Sequence, residues 1–468
     1  MAKFLMVQLQ AAPYAGTAYL NGDVVSSGHE FVMHLGNSVE KILRRISIEK
    51  PEIIGFSCMT GLHTEVVQIA REIKKYHKIP IILGGPHPTL FPDIIYEDGI
   101  DMICRGEGEF VLIELLDAIE KKQSYDMLLN LWVKKNSTVI KNNLRPLTEP
   151  LDRIPLIDWS CYKGTAVQKS PPIAFLIRGC PYSCSYCFNE GTRNMVKGLG
   201  HYVRYFSVDR SIQEIRQALN VFSANPVLFT SDTFGIDIKW MEELFIRYEQ
   251  LTPLSFVLLL RPELAKSAVI DVIKKHHCHS VAIGVESGSE RVRKDVLNRH
   301  YSNALLFEIA NNLHKSGIKF RTYNMIGLPT ETEDEMWETI ELNIRMKTDY
   351  PRGAIFTPMP NTKITQMAIQ EGYLDQGFCF DDVPKTILSH SILKKINHDL
   401  IKNTLYFFQT AILFPRLNGV LKTLIRKRKP NVIFLAWFYF IYIYLHNKSE
   451  GRKWLSYIQY LISNRAYK

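Results

Sequence analysis

Arg178-Gly179-Cys180-Pro181-Tyr182-Ser183-Cys184-Ser185-Tyr186-Cys187-Phe188-Asn189 decides how this chain is read. It gathers three of the eight cysteines into one C-x3-C-x2-C loop. Thiolates at this spacing reach three irons of a cubic [4Fe–4S] cluster, whereas fully ligated clusters take four cysteines. The fourth iron is then open to a substrate or cofactor. Zinc sites usually bring a second C-x2-C pair or histidines, and neither lies near. Cys58, Cys104, Cys161, Cys278 and Cys379 stand singly and read as small packed hydrophobes.

Outward from the loop, the sequence alternates strand-like and helix-like runs. IAFLIR leads into the cysteines; PVLFTSD, LSFVLLLR, SVAIGVES, IKFRTYNMIG and AIFTPMP follow. Amphipathic runs such as RSIQEIRQALNVF and KWMEELFIRYEQL fall between them. Six strands with intervening helices predict a partial (β/α)6 barrel of TIM type over residues 171–365. Its chemistry is expected at the C-terminal strand ends, where the cysteine loop falls.

Upstream, FLMVQLQ, IIGF, PIILGG and DMIC alternate with VEKILRRISIE, TEVVQIAREIKKYH and EFVLIELLDAIEKK. This α/β pattern predicts a doubly wound, Rossmann-like parallel sheet over residues 1–140, with ligands beyond the carboxyl ends of its strands. Those ends read Gly55–Thr60, Gly84–Thr89 and Arg105–Glu109. They are rich in glycine and hydroxyl residues, so backbone can approach a ligand closely; tight βα turns favour the same residues. LWVKKNSTVIKN reads as a β-hairpin turning at Asn136-Ser137. Residues 141–170, with LTEPLDRIPLIDW, read as a linker.

The cysteine motif resembles that of the radical S-adenosylmethionine (radical SAM) enzymes, and the upstream sheet resembles the cobalamin (B12)-binding domain found ahead of many of them. The resemblance spans residues 1 to about 365. It implies that Cys180, Cys184 and Cys187 hold the cluster, whose open iron chelates SAM and whose electron cleaves it to a 5′-deoxyadenosyl radical. Tyr186 would lie near the adenine. Glu286 and Ser287 would meet the ribose and carboxylate, and Ile326 in Met325–Glu331 would pack along the adenine. The family's Gly-Gly-Glu is replaced by Thr230-Ser231-Asp232-Thr233-Phe234, where Asp232 is a partner for the SAM amine or a helix N-cap. Arg261 is a partner for the SAM carboxylate or a plain ion pair.

For cobalamin, the resemblance implies contacts from Ser57, Thr60, Gly84, Gly85, His87, Gly106 and Glu107. The Asp-x-His-x-x-Gly of many cobalamin domains is missing from LQAAPYAGTAYLNG, which implies base-off cobalamin without histidine ligation. His87 between two prolines fits a supporting or packing contact better than a cobalt ligand.

The net charge of +10 is unevenly spread. Residues 391–468 hold 14 Lys/Arg against Asp399 and Glu450, a net of +12, so the remainder is −2. Residues 366–468 are expected to form a mostly helical tail. Arg426-Lys427-Arg428-Lys429 precedes the apolar, aromatic run Val432–Leu445, which is shorter than the roughly 20 residues needed to span a bilayer. Residues 426–445 therefore read either as a peripheral membrane contact or as a helix packed on the barrel. No stacking or docking motif supports nucleic acid. Unpaired thiols fit a reducing, cytoplasmic setting, and no signal peptide is evident at the N-terminus.

The function expected from this resemblance is a cobalamin-dependent radical SAM methyltransferase acting on an unactivated carbon. The alternatives are a cyclase, ring-contracting or oxidising enzyme with the same cofactors, and a sensor without turnover. A small-molecule substrate, of lipid or isoprenoid class by the character of the tail, and a reductant such as ferredoxin or flavodoxin complete the expectation.

Overall fold

The computed structural model describes residues 1–136, 138–383, 388 and 390–449. Ser137 of the expected hairpin turn and residues 450–468 of the tail lie outside the described residues. The chain forms two compact units. The first comprises Met1–Leu176 and Thr192–Ser223; the second comprises Ile177–Gly191 and the described residues from Ala224 onward.

The first unit opens with β1 (Lys3–Gln8), α1 (Ala15–Ser26), β2 (Glu30–Leu35), α2 (Val39–Glu49), β3 (Ile53–Ser57), α3 (His63–Tyr76), β4 (Ile81–Gly84) and the short α4 (Pro86–Leu90). It continues through β5 (Met102–Cys104), α5 (Glu109–Glu120), β6 (Leu131–Lys135) and β7 (Thr138–Lys141). The seven strands lie in the order β2-β1-β3-β4-β5-β6-β7. Strands β1 to β5 are parallel, and β6 and β7 add an antiparallel edge. The parallel strands are apolar on both sides because helices cover both faces. Leu5, Val7, Ile54, Phe56 and Leu83 face one buried cluster, while Phe4, Met6, Ile53, Ile82 and Met102 face the other.

Both α1 and β2 are additional to the expected elements. Helix α1 buries Thr17, Asn21 and Asp23 alongside Ala18 and Val24, so no apolar stripe marks it. Strand β2 is an edge strand, and only Val32 is buried in it.

The chain then runs through β8 (Ile173–Ala174), β9 (Ile177–Arg178), α6 (Asn189–Met195), β10 (Arg204–Tyr205) and α7 (Val208–Leu219). The expected strand IAFLIR is thus broken in two at Phe175-Leu176.

In the second unit, β11 (Val227–Phe229), α8 (Ile238–Leu251), β12 (Phe256–Leu260), α9 (Ser267–Lys275) and β13 (Cys278–Glu286) alternate. They are followed by α10 (Asn303–Lys315), β14 (Lys319–Ile326), α11 (Glu333–Arg345) and β15 (Tyr350–Ile355). Strands β11 to β15 pair in sequence order, all parallel. Helices α8, α10 and α11 begin at side-chain caps, which satisfy otherwise orphaned N–H groups. Asp237 accepts from the Trp240 amide at 3.0 Å, and Ser302 from Leu305 at 3.3 Å. Thr332 and Glu335 form a reciprocal capping box at the start of α11. The last strand begins earlier than AIFTPMP suggests and ends before Pro358 and Pro360; as an edge strand it tolerates Pro351.

The tail forms α12 (Lys363–Gln370), α13 (His398–Leu413), α14 (Asn418–Lys427) and α15 (Val432–Ser449). Helix α13 lies on β14 and β15, where Ile401, Leu405 and Phe408 join Ile326 and Ile355 in one core. The approach is close. A Cβ at Gly353 would stand 3.0 Å from the Phe408 ring, and one at Gly327 would stand 2.8 Å from Ile401. Helix α15 packs on α13 through Phe434 against Phe407, with ring centroids 4.8 Å apart. Trp437 Nε1 donates to Thr410 Oγ1 at 2.8 Å. Among the described residues, no helix is long and apolar enough to cross a membrane.

Candidate functional site

In the second unit, the cysteine loop is fastened by backbone bonds on both sides. The Ser185 amide donates to Leu297 O at 3.1 Å, and the Ile364 amide donates to Ser185 O at 3.1 Å. Asn298 Nδ2 donates to Ser183 O at 2.7 Å. Cys180 and Cys184 are buried and Cys187 is partly so. Burial raises the Cys187 thiol pKa, and the neighbouring Cys184 and Cys180 raise it further. The three sulfurs therefore share one site. Of the other cysteines, Cys58 and Cys104 are buried as expected, but Cys379 is exposed, where it caps the short turn Phe380–Asp382.

Arg261, at the end of β12, donates from Nη1 to Cys184 Sγ at 2.9 Å and from Nη2 to Glu263 at 2.7 Å. Its guanidinium stacks 3.7 Å from the Tyr182 ring centroid. Burial and the nearby Arg299 oppose its charge, but Cys184 and Glu263 outweigh them and raise its pKa. The ion pair weighed for this residue is present, and with it a charged donor on the Cys184 thiol.

Glu286 ends β13 with φ of 66°. Its Oε1 accepts from Tyr186 Oη at 3.1 Å and from Arg299 Nη1 at 2.6 Å, and Arg299 also reaches Tyr186 Oη at 3.1 Å. The Arg299 side chain is 2% exposed. Burial opposes its charge, but Tyr301, Tyr186 and Glu286 outweigh that and raise its pKa well above the usual value. Gly284 makes the room, since a Cβ there would stand 2.5 Å from Glu286 Oε1 and 3.2 Å from Arg299 Nη1. Arg299 was missed in the sequence because it follows Glu286 across the largely buried helical segment Val292–Val296 with no motif of its own; only the fold brings them together.

The remaining expected SAM contacts are placed differently. Asp232 accepts from the Gly179 amide at 2.8 Å, while the α8 cap is Asp237, so the N-cap alternative for Asp232 does not hold. Burial raises the Asp232 pKa. Ser287 is fully buried; its Oγ accepts from the Ser289 amide and lies 3.5 Å from Thr339 Oγ1. The Ile326 side chain sits in the core beneath α13.

In the first unit, the strand-end loops also converge. Thr60 Oγ1 meets His87 Nδ1 at 3.1 Å. The His87 ring stacks on His63, with centroids 4.2 Å apart. Burial, and then His63, lowers the His87 pKa to about 3, so the imidazole is neutral. Thr89 Oγ1 donates to Gly85 O at 2.8 Å and accepts from the Gly106 amide at 3.1 Å, joining the second and third loops. Gly85 has φ of 98°, and a Cβ there would stand 3.0 Å from Cys58 O. Ser57 ends β3, half-buried beside this group. Glu107 is held in a two-pronged ion pair with Arg204, at 2.7 and 3.2 Å, so its carboxylate is engaged within the fold.

Both sites fit their implied groups by the chemistry of the residues present. Three thiols beside a guanidinium suit a cluster with one open iron. Among the described residues, Arg261 Nε and Arg299 Nε are buried without a hydrogen bond, and Arg299 Nη2 has only the Glu263 carboxylate at 3.8 Å, which suits a ligand carrying a carboxylate. At Gly84, no atom of the described residues beyond its chain neighbours comes within 4 Å of where a Cβ would stand. Packing therefore does not demand glycine there, whereas the approach of a large cofactor would.

A parallel sheet with helices on both faces and a barrel-like sheet with a three-thiol loop define a two-cofactor iron–sulfur enzyme. Family models agree, matching a B12 binding domain over residues 11–116 and the radical SAM superfamily over residues 175–342. The chain belongs to the radical SAM enzymes that carry a B12-binding domain, whose cofactors are a [4Fe–4S] cluster, SAM and cobalamin. It is 27% identical to an uncharacterised methyltransferase of Pyrococcus horikoshii over 77% of this chain and 80% of that one. It is 25% identical to the anaerobic magnesium-protoporphyrin IX monomethyl ester cyclase of Rubrivivax gelatinosus, over 76% of this chain and 66% of that one. Its fold is similar to that of the radical SAM methyltransferase TsrM from Kitasatospora setae, solved with cobalamin and a [4Fe-4S] cluster. There the TM-score is 0.66 and the identity 15%, over 80% of this chain and 76% of that one. The cobalamin-dependent radical enzyme OxsB, solved with aqua-cobalamin and SAM, gives a TM-score of 0.67 at 14% identity, over 96% and 71%.

Proposed function

We propose that this methyltransferase-like radical SAM enzyme transfers a methyl group to an unactivated carbon of a small molecule. The observation that carries the reading is the pairing of two equipped sites in one chain. One has the Cys184–Arg261 and Tyr186–Glu286–Arg299 contacts; the other has the glycine loops of the first unit. When bound, the cluster with SAM supplies a radical that opens an inert C–H bond, and cobalamin supplies the methyl group.

In this reading, Cys180, Cys184 and Cys187 hold the cluster, and Arg261 stabilises the Cys184 thiolate. Glu286, fixed by Arg299 and Tyr186, accepts the ribose hydroxyls. Asp232 spends one carboxylate oxygen on the Gly179 amide, which shapes the cysteine loop, and offers the other to the SAM amine. Ser287 and Ile326 serve through backbone, since their side chains face the fold. Ser57, Thr60, Gly84, Gly85 and Gly106 line the cobalamin pocket, and His87 braces Thr60. Glu107 anchors the third loop. A reductant such as ferredoxin or flavodoxin supplies electrons. The basic, aromatic segment 426–445 supports a lipid or isoprenoid substrate met at a membrane surface.

Anaerobic reconstitution with iron, sulfide, cobalamin, SAM and a reductant tests the reading. Formation of 5′-deoxyadenosine with S-adenosylhomocysteine is expected. A full cluster that yields no 5′-deoxyadenosine would overturn the radical chemistry. 5′-Deoxyadenosine with no S-adenosylhomocysteine would favour the second reading, a cyclase-type reaction, which the similarity to the Rubrivivax cyclase supports.

A further inference from the structure

We infer that the outward face of α14 and α15 docks the protein on an anionic membrane surface, with α15 lying in the plane of the interface. The inference sharpens the membrane contact of the proposed function and stands independently of methyl transfer. Among the described residues, α15 packs along one side, as the second alternative read from the tail's sequence expects, and the membrane contact needs only the outward side. Phe438, Ile441 and Leu445 are buried against the second unit. The outward side leaves Val432 and Ile433 75% exposed, Phe440 54% and Tyr444 45%, with Trp437 at its edge, 40% exposed and bonded to Thr410. Ile433, Trp437, Phe440 and Tyr444 follow one another at three- or four-residue steps, which puts them in one stripe on a helix. Exposed Val420 and Leu417 extend the apolar surface onto α14 and the turn before it.

The surroundings of this stripe are basic. Residues 400–449 hold eight Lys/Arg and no Asp or Glu. Arg426 is paired with Glu333 at 2.5 Å. Lys427, Arg428 and Lys429 are exposed, immediately before the start of the stripe.

Orientation follows from the packing. The Phe434–Phe407 and Trp437–Thr410 contacts hold α15 along α13. At 18 residues, α15 is about 27 Å long. A helix fixed along one flank can sink its exposed flank into the headgroup region, where Trp, Tyr and Phe are at home.

Charge chooses the occupant. A second copy of this face would set basic residues against basic residues. Residues 450–468, with four Lys/Arg against Glu450, would do the same. Anionic headgroups are complementary, and their attraction adds to apolar insertion.

Flotation of the cofactor-loaded full chain tests this. The vesicles are phosphatidylcholine alone, or phosphatidylcholine mixed with phosphatidylglycerol, at low and high salt. Roughly tenfold more protein is expected on the anionic vesicles at low salt. Two variants alter exposed residues only: Val432→Ser with Ile433→Ser and Phe440→Ser, and Lys427→Glu with Arg428→Glu and Lys429→Glu. Each is expected to lose most of that binding while keeping its iron content and circular dichroism. Absent flotation, equal flotation on neutral vesicles, or variants that float like the wild type would each overturn the inference. A dimer by light scattering that the serine variant dissociates, without flotation, assigns the face to a second copy. Flotation only after deletion of residues 450–468 assigns it to that segment. 5′-Deoxyadenosine formation, measured without vesicles, reports separately on the chemistry.

Discussion

Arg299→Met is expected to do more damage than the loss of one surface charge, and its partner shows why. The Arg299 and Glu286 side chains are 2% and 13% exposed, with Nη1 and Oε1 2.6 Å apart. Removing the guanidinium leaves Glu286 Oε1 with only the Tyr186 hydroxyl. Breaking a buried ion pair from one side costs about 3–5 kcal/mol, because the remaining charge stays desolvated. Glu286→Gln leaves Arg299 an amide oxygen to donate to and the Glu263 carboxylate 3.8 Å from Nη2, so its cost is smaller. In the double variant, the charge orphaned by Arg299→Met is no longer present, so the two losses should not add. A coupling energy of about 2 kcal/mol is expected. The assay is urea unfolding of the apoprotein for the wild type, both single variants and the double variant. Additivity within about 0.5 kcal/mol would refute the pair as an energetic unit. Gly284→Ala gives an independent reading, since its Cβ would displace Glu286 and should lower SAM affinity, measured by equilibrium dialysis, as Glu286→Gln does.

Gly85→Ala should lose cobalamin, read as cobalamin retained after gel filtration; a φ of 98° and a Cβ 3.0 Å from Cys58 O are both unfavourable to a side chain. Cys184→Ala should drop the iron content of the reconstituted protein, and Arg261→Met should retain iron but shift the cluster's reduction potential downward, because a cation beside the thiolate favours the reduced, more negative state. Asp23 is fully buried with neither carboxylate oxygen hydrogen-bonded among the described residues, and burial, then Glu109, raises its pKa to about 8. A carboxyl whose folded pKa lies above its unfolded value contributes stability at low pH and loses it as pH rises through the folded value. Wild-type stability measured relative to Asp23→Asn should therefore fall between about pH 4 and pH 8, and a flat difference would remove Asp23 from that role.

The repeating alternation of strands and helices was legible because most helices here are amphipathic and most of the parallel strands are rich in apolar residues. Helix α1 was not, since buried Thr17, Asn21 and Asp23 erase the stripe by which helices are read. The cysteine loop was legible from spacing alone. Glu286 was legible from the residues around it, but its partner Arg299 was not, because the ion pair bridges a turn that only tertiary structure closes. The N-cap alternative for Asp232 failed for a local reason: Asp237, five residues on, sits at the true start of α8. Glu107 was expected at a ligand, and its engagement by Arg204 depends on a chain segment nearly a hundred residues away.

The glycines beneath α13 bear on how this chain can be handled at the bench. Gly327 and Gly353 allow the helix to lie almost on the backbone of β14 and β15, and Ile326, Ile355 and Trp337 are shielded by it. A fragment ending near residue 365, where the alternating pattern stops, would expose that seam to water. Such a truncation would give inclusion bodies rather than a minimal enzyme, so activity work calls for the chain with its last helices attached.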